Sequence, residues 1–418
     1  MKKARPAFTF GVAIGLLVAA LALPAARAAG PARGGETVLH AFGGRSDGHF
    51  PASGVIRGPD GTFYGTTEGD FSPVSAPDLG TVFAMTPQGT VHRLHQFVDS
   101  DGATPLAGLV QGADGSLFGI TQAGGSSKNC PADMSSGCGT VFRIAPDGTF
   151  FSLYSFTGGL DGSRPTSALT FGADGQLYGT TSTGGVAGYG TAFRISAAGD
   201  FATLAQFTGG ALGITPSGPL TLASDGNFYG VTMYGGGAGC SNCGVVYRLQ
   251  PNGGLQTVHA VAGIGEGGGL SGALVEGPDG TLYGTSISGG GGCASGGCGT
   301  VYAVTPDGRW TTLYAFKGGA DGYNPLSGVV FGADGALYGT TSFGGTSPAC
   351  TNPRSGRPCG TIFRVTTAGQ HGVLFRFNGA DGDTPRGTLI QDADGSFVGT
   401  TLYGGSKTYG NVFRFNLP

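Results

Sequence analysis

The stretch GALYGTTSFGG, residues 335–345, decides the fold, because near copies of it recur along the chain. Each copy is followed, after a loop of variable length, by a second repeated stretch that reads GTVFR or a close variant. This second stretch begins at seven glycines spaced 50 to 61 residues apart: Gly80, Gly139, Gly190, Gly244, Gly299, Gly360 and Gly410. A repeat unit of this length is typical of propeller and solenoid proteins.

One repeat contains four short apolar runs, which we name A, B, C and D. In residues 327–377 they read SGVVFG, ALYGTTSF, TIFRVT and GVLFRF, and turn residues separate them. Four strands per repeat predict one propeller blade. Every turn between runs A and B contains Asp-Gly, a strong hairpin signal, so we interpret these aspartates as turn formers rather than catalysts. They are Asp60, Asp114, Asp174, Asp225, Asp279, Asp334 and Asp394.

The two ends of the repeated region complement each other. The chain begins with a lone D run, ETVLHAF at 36–42, and ends with a lone C run, NVFRFN at 411–416. A strand from the N-terminal end would therefore complete the last blade and remove the free sheet edges. A solenoid would instead need capping units. The sequence predicts an all-β, seven-bladed β-propeller with four antiparallel strands per blade. The Gly-Thr-Thr of run B is expected where neighbouring blades pack closely.

The N-terminal residues have the pattern of an export signal. A basic start precedes an apolar run at 8–23, and Ala26 and Ala28 flank Arg27, so we expect a signal peptide over 1–28. A short linker, 29–35, and one propeller domain, 36–418, follow. With 11% charged residues and a net charge of -3, the chain offers no basic surface for nucleic acid. We expect a periplasmic or extracellular protein without a membrane span after signal cleavage.

The recurrent LYGTT..GG and GTVFR..PDG resemble the GloVer tandem repeat, found in choice-of-anchor proteins that bacteria secrete. The resemblance covers nearly all of the chain after the signal and implies a secreted or surface repeat protein, without indicating any chemistry. Unlike anchored members, this chain stops at Pro418, just past a blade strand. A kelch-like repeat is the weaker match, because the chain has one tryptophan, and the fold would be similar.

The eight cysteines form four close pairs in four different B-to-C loops. The pairs are Cys130 with Cys138, Cys240 with Cys243, Cys293 with Cys298, and Cys350 with Cys359. Local pairing is the simplest arrangement, and an exported protein suits disulfides. Zinc remains an alternative for the CSNC at 240–243.

The connections from D to A and from B to C should emerge on one face of the ring, because strand direction alternates. There, a shared Asp and Pro frame five of the seven D-to-A loops, the fourth and fifth loops having lost the Asp, while the residues between them vary from blade to blade. We expect these variable residues to bind ligand. Aromatic side chains near the ends of the B-to-C loops are expected to encircle the mouth of the channel. The candidates are His49, Arg164, Tyr323, Asn324, Asp383, Tyr189, Tyr234, Phe343, Tyr403 and Tyr409.

Two functions remain open. The first is a non-catalytic binding or scaffold module for a polysaccharide or a protein, and the near-uniform repeats favour it. The second is a polysaccharide lyase or glycosidase with an acid-base pair near the axis. Its weak candidates are Glu68, Asp70 and Glu266, where the sequence departs from its own repeat. No catalytic motif occurs in a supporting context. We expect no cofactor, no obligatory metal and a monomer.

Overall fold

The computed structural model describes Met1 and residues 35–417, except 45, 71–77, 128–129, 131–136, 238–239, 241–242, 294–295 and 346–358. In this part of the chain, the strands form seven antiparallel sheets, each with four strand positions. The sheets stand around a ring, which confirms the seven-bladed β-propeller. Apart from Met1 and Gly35, the predicted signal peptide and linker lie outside the described residues. No described helix is long and apolar enough to cross a membrane.

Strands B and C form the centre of each blade. A glycine of strand B pairs with an aromatic residue of strand C in every blade, such as Gly339 with Phe363. An ideal Cβ at Gly339 would lie 2.6 Å from the Phe363 ring, so the glycine leaves room for the ring to cross the neighbouring strand. The B strands of blades 1 to 7 are Phe63–Thr67, Leu117–Thr121, Leu177–Thr183, Phe228–Tyr234, Leu282–Ser288, Leu337–Thr341 and Phe397–Tyr403. The C strands are Thr81–Met85, Thr140–Ile144, Thr191–Ile195, Val245–Leu249, Thr300–Val304, Thr361–Val365 and Asn411–Asn416.

Strand A lies at the axis and strand D at the rim, so the blade runs outward in the order A, B, C, D. The A strands are Ile56–Arg57, Val110–Gln111, Ser163–Pro165 with Thr170–Phe171, Ile214–Leu222, Gly268–Glu276, Val330–Phe331, and Asp383–Pro385 with Ile390–Gln391. The D strands of blades 1 to 6 are Val91–Gln96, Phe150–Ser155, Phe201–Gln206, Leu255–Ala260, Trp310–Ala315 and His371–Arg376. Two short 3-10 helices, Gly210–Leu212 and Gly319–Asp321, follow the D strands of blades 3 and 5.

The N-terminal strand closes the ring. Gly35–Ala41 pairs antiparallel with Asn411–Asn416 and supplies the D strand of blade 7. Just after it, Phe42 is fully buried and donates its backbone N–H to the Gly410 carbonyl at 3.0 Å. The predicted non-covalent closure is therefore confirmed.

The Gly-Thr-Thr threonines contact the neighbouring blade. In blades 1 and 7 the first threonine of the pair donates its hydroxyl to a backbone carbonyl at the axis of the adjacent blade, at 3.1 Å for Thr66 and Ala107 and at 2.7 Å for Thr400 and Ser53. Both threonines are almost fully buried, so these bonds satisfy polar groups that have no access to water. Close packing between blades was predicted, but the glycine itself makes room for a ring within its own blade.

The two faces of the ring have different connections. The A-to-B hairpins emerge on one side, which we call the hairpin face, and the D-to-A and B-to-C connections emerge on the other, the loop face. In all seven hairpins the aspartate accepts a bond from the N–H two residues later, and the following glycine has a positive φ. This geometry confirms that these aspartates form turns.

Three disulfides lie in B-to-C loops as predicted. They join Cys130 to Cys138, Cys240 to Cys243, and Cys293 to Cys298. Cys359 is also disulfide-bonded. Cys350, which we predicted as its partner, lies outside the described residues.

Candidate functional site

The D-to-A loops hold their variable residues in an uncommon backbone conformation. Seven non-glycine residues of the described chain have a positive φ, and six of them are the second residue after the loop glycine: Phe50, Thr104, Arg164, Thr215, Asn324 and Thr384. Such a conformation costs roughly 1 kcal/mol or more per residue and persists only where the surroundings enforce it.

Hydrogen bonds between blades enforce this conformation. The N–H of Asn324 donates to the Cys298 carbonyl of the preceding blade at 2.9 Å, and the N–H of Phe50 donates to Tyr409 at 2.9 Å. The same bond occurs for Thr104, Arg164, Thr215 and Thr384. The loop face therefore presents its side chains from a fixed backbone.

The aspartate that frames five of the seven D-to-A loops has a structural role, because it accepts a backbone N–H of its own loop. Asp161, for example, accepts bonds from the Thr157 N–H at 2.7 Å and from the Tyr154 hydroxyl at 3.0 Å. Glu266 takes the equivalent position in its loop, with bonds from the Ala262 N–H at 2.8 Å and from His259 at 3.1 Å. Glu266, one of our weak catalytic candidates, thus replaces a turn-forming aspartate.

A cleft of 820 Å³ opens on the loop face between blades 5 and 6. It is lined by Tyr323 and Asn324 together with Ile264, Ser288, Lys317 and the Cys293–Cys298 disulfide. Tyr323 and Phe343 exchange backbone hydrogen bonds of 2.9 and 3.2 Å, and their ring centroids are 5.5 Å apart. Three of the predicted candidates therefore meet at this cleft.

The Asn324 side chain is also fixed at the cleft. Its amide group donates to the Ile287 carbonyl at 2.9 Å. The disulfide packs against Gly318, where an ideal Cβ would lie 2.8 Å from the Cys293 sulfur. Lys317 is exposed at the edge, and its backbone N–H donates to Asp321 at 2.8 Å. The cleft thus combines a supported aromatic ring, a fixed amide and an ammonium group.

A second group of candidates lies where blade 7 meets blade 1. The His49 and Tyr409 rings are 4.5 Å apart, and Phe50 lies 5.4 Å from Tyr403 and 5.7 Å from Tyr409. His49 is buried, and its Nδ1 lies 2.7 Å from the Asp78 carboxylate. This pair comes from two different loops of blade 1, and among the described residues no other blade has an equivalent pair.

Sequence reasoning missed Asp78. Its carboxylate also accepts bonds from the Gly80 N–H at 3.1 Å and the Gln96 side chain at 2.8 Å. The signal for it was weak, because it lies in a B-to-C loop that differs in length and composition from the others. A buried histidine would have required an acceptor, but the sequence did not indicate which one.

Glu68 and Asp70 lie beside this second group. Burial raises the pKa of Glu68, and the nearby Arg386 charge partly opposes that effect. The Asp70 carbonyl accepts the Asp78 N–H at 3.2 Å. Arg386 lines the axial channel, a cavity of 350 Å³ to which the A segments of all seven blades contribute. Of the described residues that line the channel, Arg386 is the one with a charged side chain.

The remaining candidates lie elsewhere on the loop face. Tyr189 and Tyr234 are each 41% exposed around the Gly209–Ile214 loop of blade 4. Arg164 is half-buried in blade 3, and Asp383 is buried and pairs with Tyr403 across the sheet. The aromatic candidates thus form three separate groups. The described residues that line the channel are small or aliphatic, apart from Arg386. In the part of the chain that the structure describes, no group of three or more His, Cys, Asp and Glu side chains could hold a metal ion.

The fold and this face define a repeat-built β-propeller with a fixed scaffold and variable loops. The chain belongs to the Gloeobacter/Verrucomicrobia repeat family, whose model matches residues 28–132, 132–292 and 237–418. This match confirms the GloVer-type repeat that the sequence resembled. No curated protein matches the chain.

Several solved structures are similar to the chain at low sequence identity. The extracellular domain of a hybrid two-component system from B. thetaiotaomicron has a TM-score of 0.56 and 11% identity, over 92% of this chain and 41% of that one. An aldose sugar dehydrogenase from Streptomyces coelicolor, solved with PQQ, has a TM-score of 0.48 and 13% identity, over 93% of this chain and 100% of that one. A gluconolactonase from Xanthomonas campestris has a TM-score of 0.43 and 12% identity, over 92% of this chain and 90% of that one. At these identities the first likeness shows the fold alone.

Proposed function

We propose that this protein is an exported binding module that holds a polysaccharide on its loop face, with the cleft between blades 5 and 6 as the main site. The observation that carries the proposal is Tyr323, which lines a cleft of 820 Å³ and whose ring centre lies 5.5 Å from that of Phe343. An aromatic face stacks on the C–H groups of a sugar, and neighbouring polar groups then bind its hydroxyls.

The polar groups of the cleft suit this role. Asn324, Ser288 and Lys317 line the same cavity as Tyr323. The left-handed backbone at Asn324 and the disulfide at Cys293 hold the cleft in one shape, which lowers the entropy that a ligand would lose on ordering it. Lys317 adds a positive charge, so a glycan with carboxylate groups is expected to bind more tightly than a neutral one.

Export and a monomeric state belong to the same proposal. The disulfides at Cys130, Cys240 and Cys293 suit an oxidising compartment, the periplasm or the exterior. We propose that the chain acts there as a monomer, because its own N-terminal strand completes blade 7 and no strand from a second copy is needed to close the ring.

A binding screen with product analysis tests the function. Residues 29–418 are incubated with a panel of plant and microbial polysaccharides, binding is measured by titration calorimetry, and products are analysed by mass spectrometry. We expect binding without new products, and a loss of about tenfold or more in affinity for Tyr323→Ala. Phe151→Ala removes an exposed ring from the outer D strand of blade 2 and serves as the matched control.

A carbohydrate-active enzyme is the second candidate, and the half-buried Glu68 and buried Asp78 of blade 1 favour it. Glu68 has a raised pKa, as a general acid requires, and the His49–Asp78 pair lies beside it. Cleavage products that disappear in Glu68→Gln would establish this candidate and refute the non-catalytic module. If no glycan binds, the loop face is to be screened against protein partners, and the polysaccharide proposal is refuted.

A further inference from the structure

The hairpin face carries an arginine that recurs at the same position of strand C in most blades. In five blades, strand C places an arginine directly opposite an aromatic or apolar residue of strand B. The pairs are Phe118 with Arg143, Tyr178 with Arg194, Tyr229 with Arg248, Tyr338 with Arg364, and Val398 with Arg414.

Blade 6 shows how this arginine is held. The guanidinium carbon of Arg364 lies 6.0 Å from the centre of the Tyr338 ring, and one of its nitrogens lies 2.6 Å from the Asp334 carboxylate in the hairpin turn. Blades 2 and 7 repeat the ion pair, at 3.0 Å between Arg143 and Asp114 and at 3.2 Å between Arg414 and Asp394. A guanidinium on a ring beside a carboxylate combines a cation–π contact with a charge-assisted hydrogen bond.

Blade 5 keeps the aromatic residue and the turn carboxylate but lacks the arginine. Ala303 stands opposite Tyr283, and the turn aspartate, Asp279, is kept. A cavity of 670 Å³ lies beside Asp279 and Tyr283 between blades 5 and 6, and Phe331 and Glu276 also line it. The Tyr283 and Phe331 rings are in edge contact at 5.4 Å.

The charges at this cavity favour a cation. Asp279 is exposed, and its carboxylate accepts bonds from the Thr281 N–H and hydroxyl, which keep the pKa of Asp279 below its usual range. Glu276 adds a second carboxylate, which is fixed by two bonds from Ser224. Two carboxylates and two aromatic residues thus line this cavity. In blades 2, 6 and 7 the equivalent turn carboxylate holds an arginine of strand C.

We propose that the cavity between blades 5 and 6 on the hairpin face binds an arginine side chain presented by a partner protein. The molecule itself shows the ligand chemistry, because in blade 6 the equivalent ring, Tyr338, and the equivalent turn carboxylate, Asp334, hold an arginine of the chain. A planar guanidinium fits this pair of contacts better than the compact ammonium of a lysine. The site is independent of the loop face and of the polysaccharide proposal.

Blade 1 provides an internal comparison. Its strand C also carries an alanine, Ala84, opposite Tyr64, and a cavity of 360 Å³ lies beside it. The position of Glu276 is taken there by Arg57, which pairs with Asp392 at 3.0 Å. The positive charge of Arg57 also attracts the carboxylate of Asp60 in the hairpin turn. Blade 1 therefore supplies its own cation, and we expect no arginine binding there.

The test uses the whole exported chain labelled with fluorotyrosine and observed by fluorine NMR. The probe is the blocked tripeptide Gly-Arg-Gly at millimolar concentration, and the peptide with citrulline, which is neutral and nearly isosteric, is its control. The Tyr283 signal is assigned with Tyr283→Phe. We expect the arginine peptide to shift the Tyr283 signal and leave that of Tyr64 in place, while the citrulline peptide shifts neither.

Three variants sharpen the test. Ala303→Arg restores the residue that five other blades carry and should abolish the shift. Asp279→Asn keeps the turn, since Asn-Gly suits the same hairpin, and should weaken binding about threefold or more. Asp174→Asn in blade 3, where Arg194 is present, is the matched control and should change nothing. Equal shifts with arginine and citrulline, or an unchanged shift in both Ala303→Arg and Asp279→Asn, would overturn the proposal.

Discussion

At the scale of single residues, the repeated glycine of GTVF and the proline of the next D-to-A loop form one joint between blades. Gly139 has a φ of 98°, and an ideal Cβ there would lie 2.5 Å from the Thr121 carbonyl and 2.7 Å from the Pro165 ring. Gly80 shows the same arrangement with Pro105, and Gly410 with Pro51 across the closure. The two residues recur together because the blades can approach this closely only without a side chain.

The joint predicts a difference between two glycines of blade 2. Gly139→Ala should lower the free energy of unfolding by roughly 3 kcal/mol, because a left-handed alanine costs about 1–2 kcal/mol and the forced overlap adds about 1–3 kcal/mol. Gly148→Ala should cost only about 1–2 kcal/mol, since its φ is 87° but no heavy atom lies within 4 Å. Urea unfolding of both variants measures this, and equal losses would contradict the joint.

At the scale of the strand, the closure strand carries an unusual acid. Glu36 pairs with Phe415, and burial, together with the Asp381 charge, raises the pKa of Glu36 to about 8. Among the described atoms, its Oε1 is buried without a hydrogen-bond partner. The folded protein therefore prefers a neutral Glu36, whereas the unfolded chain ionises near the ordinary pKa of 4.5.

This difference gives the stability a pH dependence. Below about pH 4.5 Glu36 is protonated in both the folded and the unfolded state. Between pH 4.5 and about 8 it is protonated in the folded state only, because its folded-state pKa is the higher one. The free energy of unfolding should thus fall between these two values as the pH rises. Glu36→Gln should remove this part of the pH dependence, so the free energy of unfolding of the variant should increase relative to that of the wild type as the pH approaches 8. Chemical unfolding at several pH values measures it, and parallel profiles would refute it.

The strands were predictable from sequence because their signals are local, and the site was not because it depends on contacts between blades. Gly335 in its turn and Gly339 opposite Phe363 are each fixed by neighbours within one repeat. By contrast, Phe50 meets Tyr403 only when the two ends of the chain come together. Glu266 departs from the repeat as a functional residue would, yet it makes the bonds of the aspartate that it replaces.

At the scale of the whole molecule, each apolar core belongs to two blades rather than to one. The core at the closure combines Phe42 with Phe63 and Phe83 of blade 1 and with Val398 and Val412 of blade 7. A blade therefore buries one side of its sheet only through its neighbour, and the ring is stable because the last blade packs against the first. Its integrity depends on the N-terminal strand, which is the least local part of the fold.

The closure can be tested with two shortened chains. A chain that begins at Gly35 keeps the strand Gly35–Ala41 and Phe42, whereas a chain that begins at Gly43 loses both. The shorter chain should be less stable by at least about 3 kcal/mol, because burial of one phenylalanine alone contributes roughly 2–3 kcal/mol and the ladder to Asn411–Asn416 is lost as well. It should also associate through the exposed edge of strand C. Thermal unfolding followed by circular dichroism, with size-exclusion chromatography, measures both effects, and matching midpoints for the two chains would show that the ring holds without its N-terminal strand.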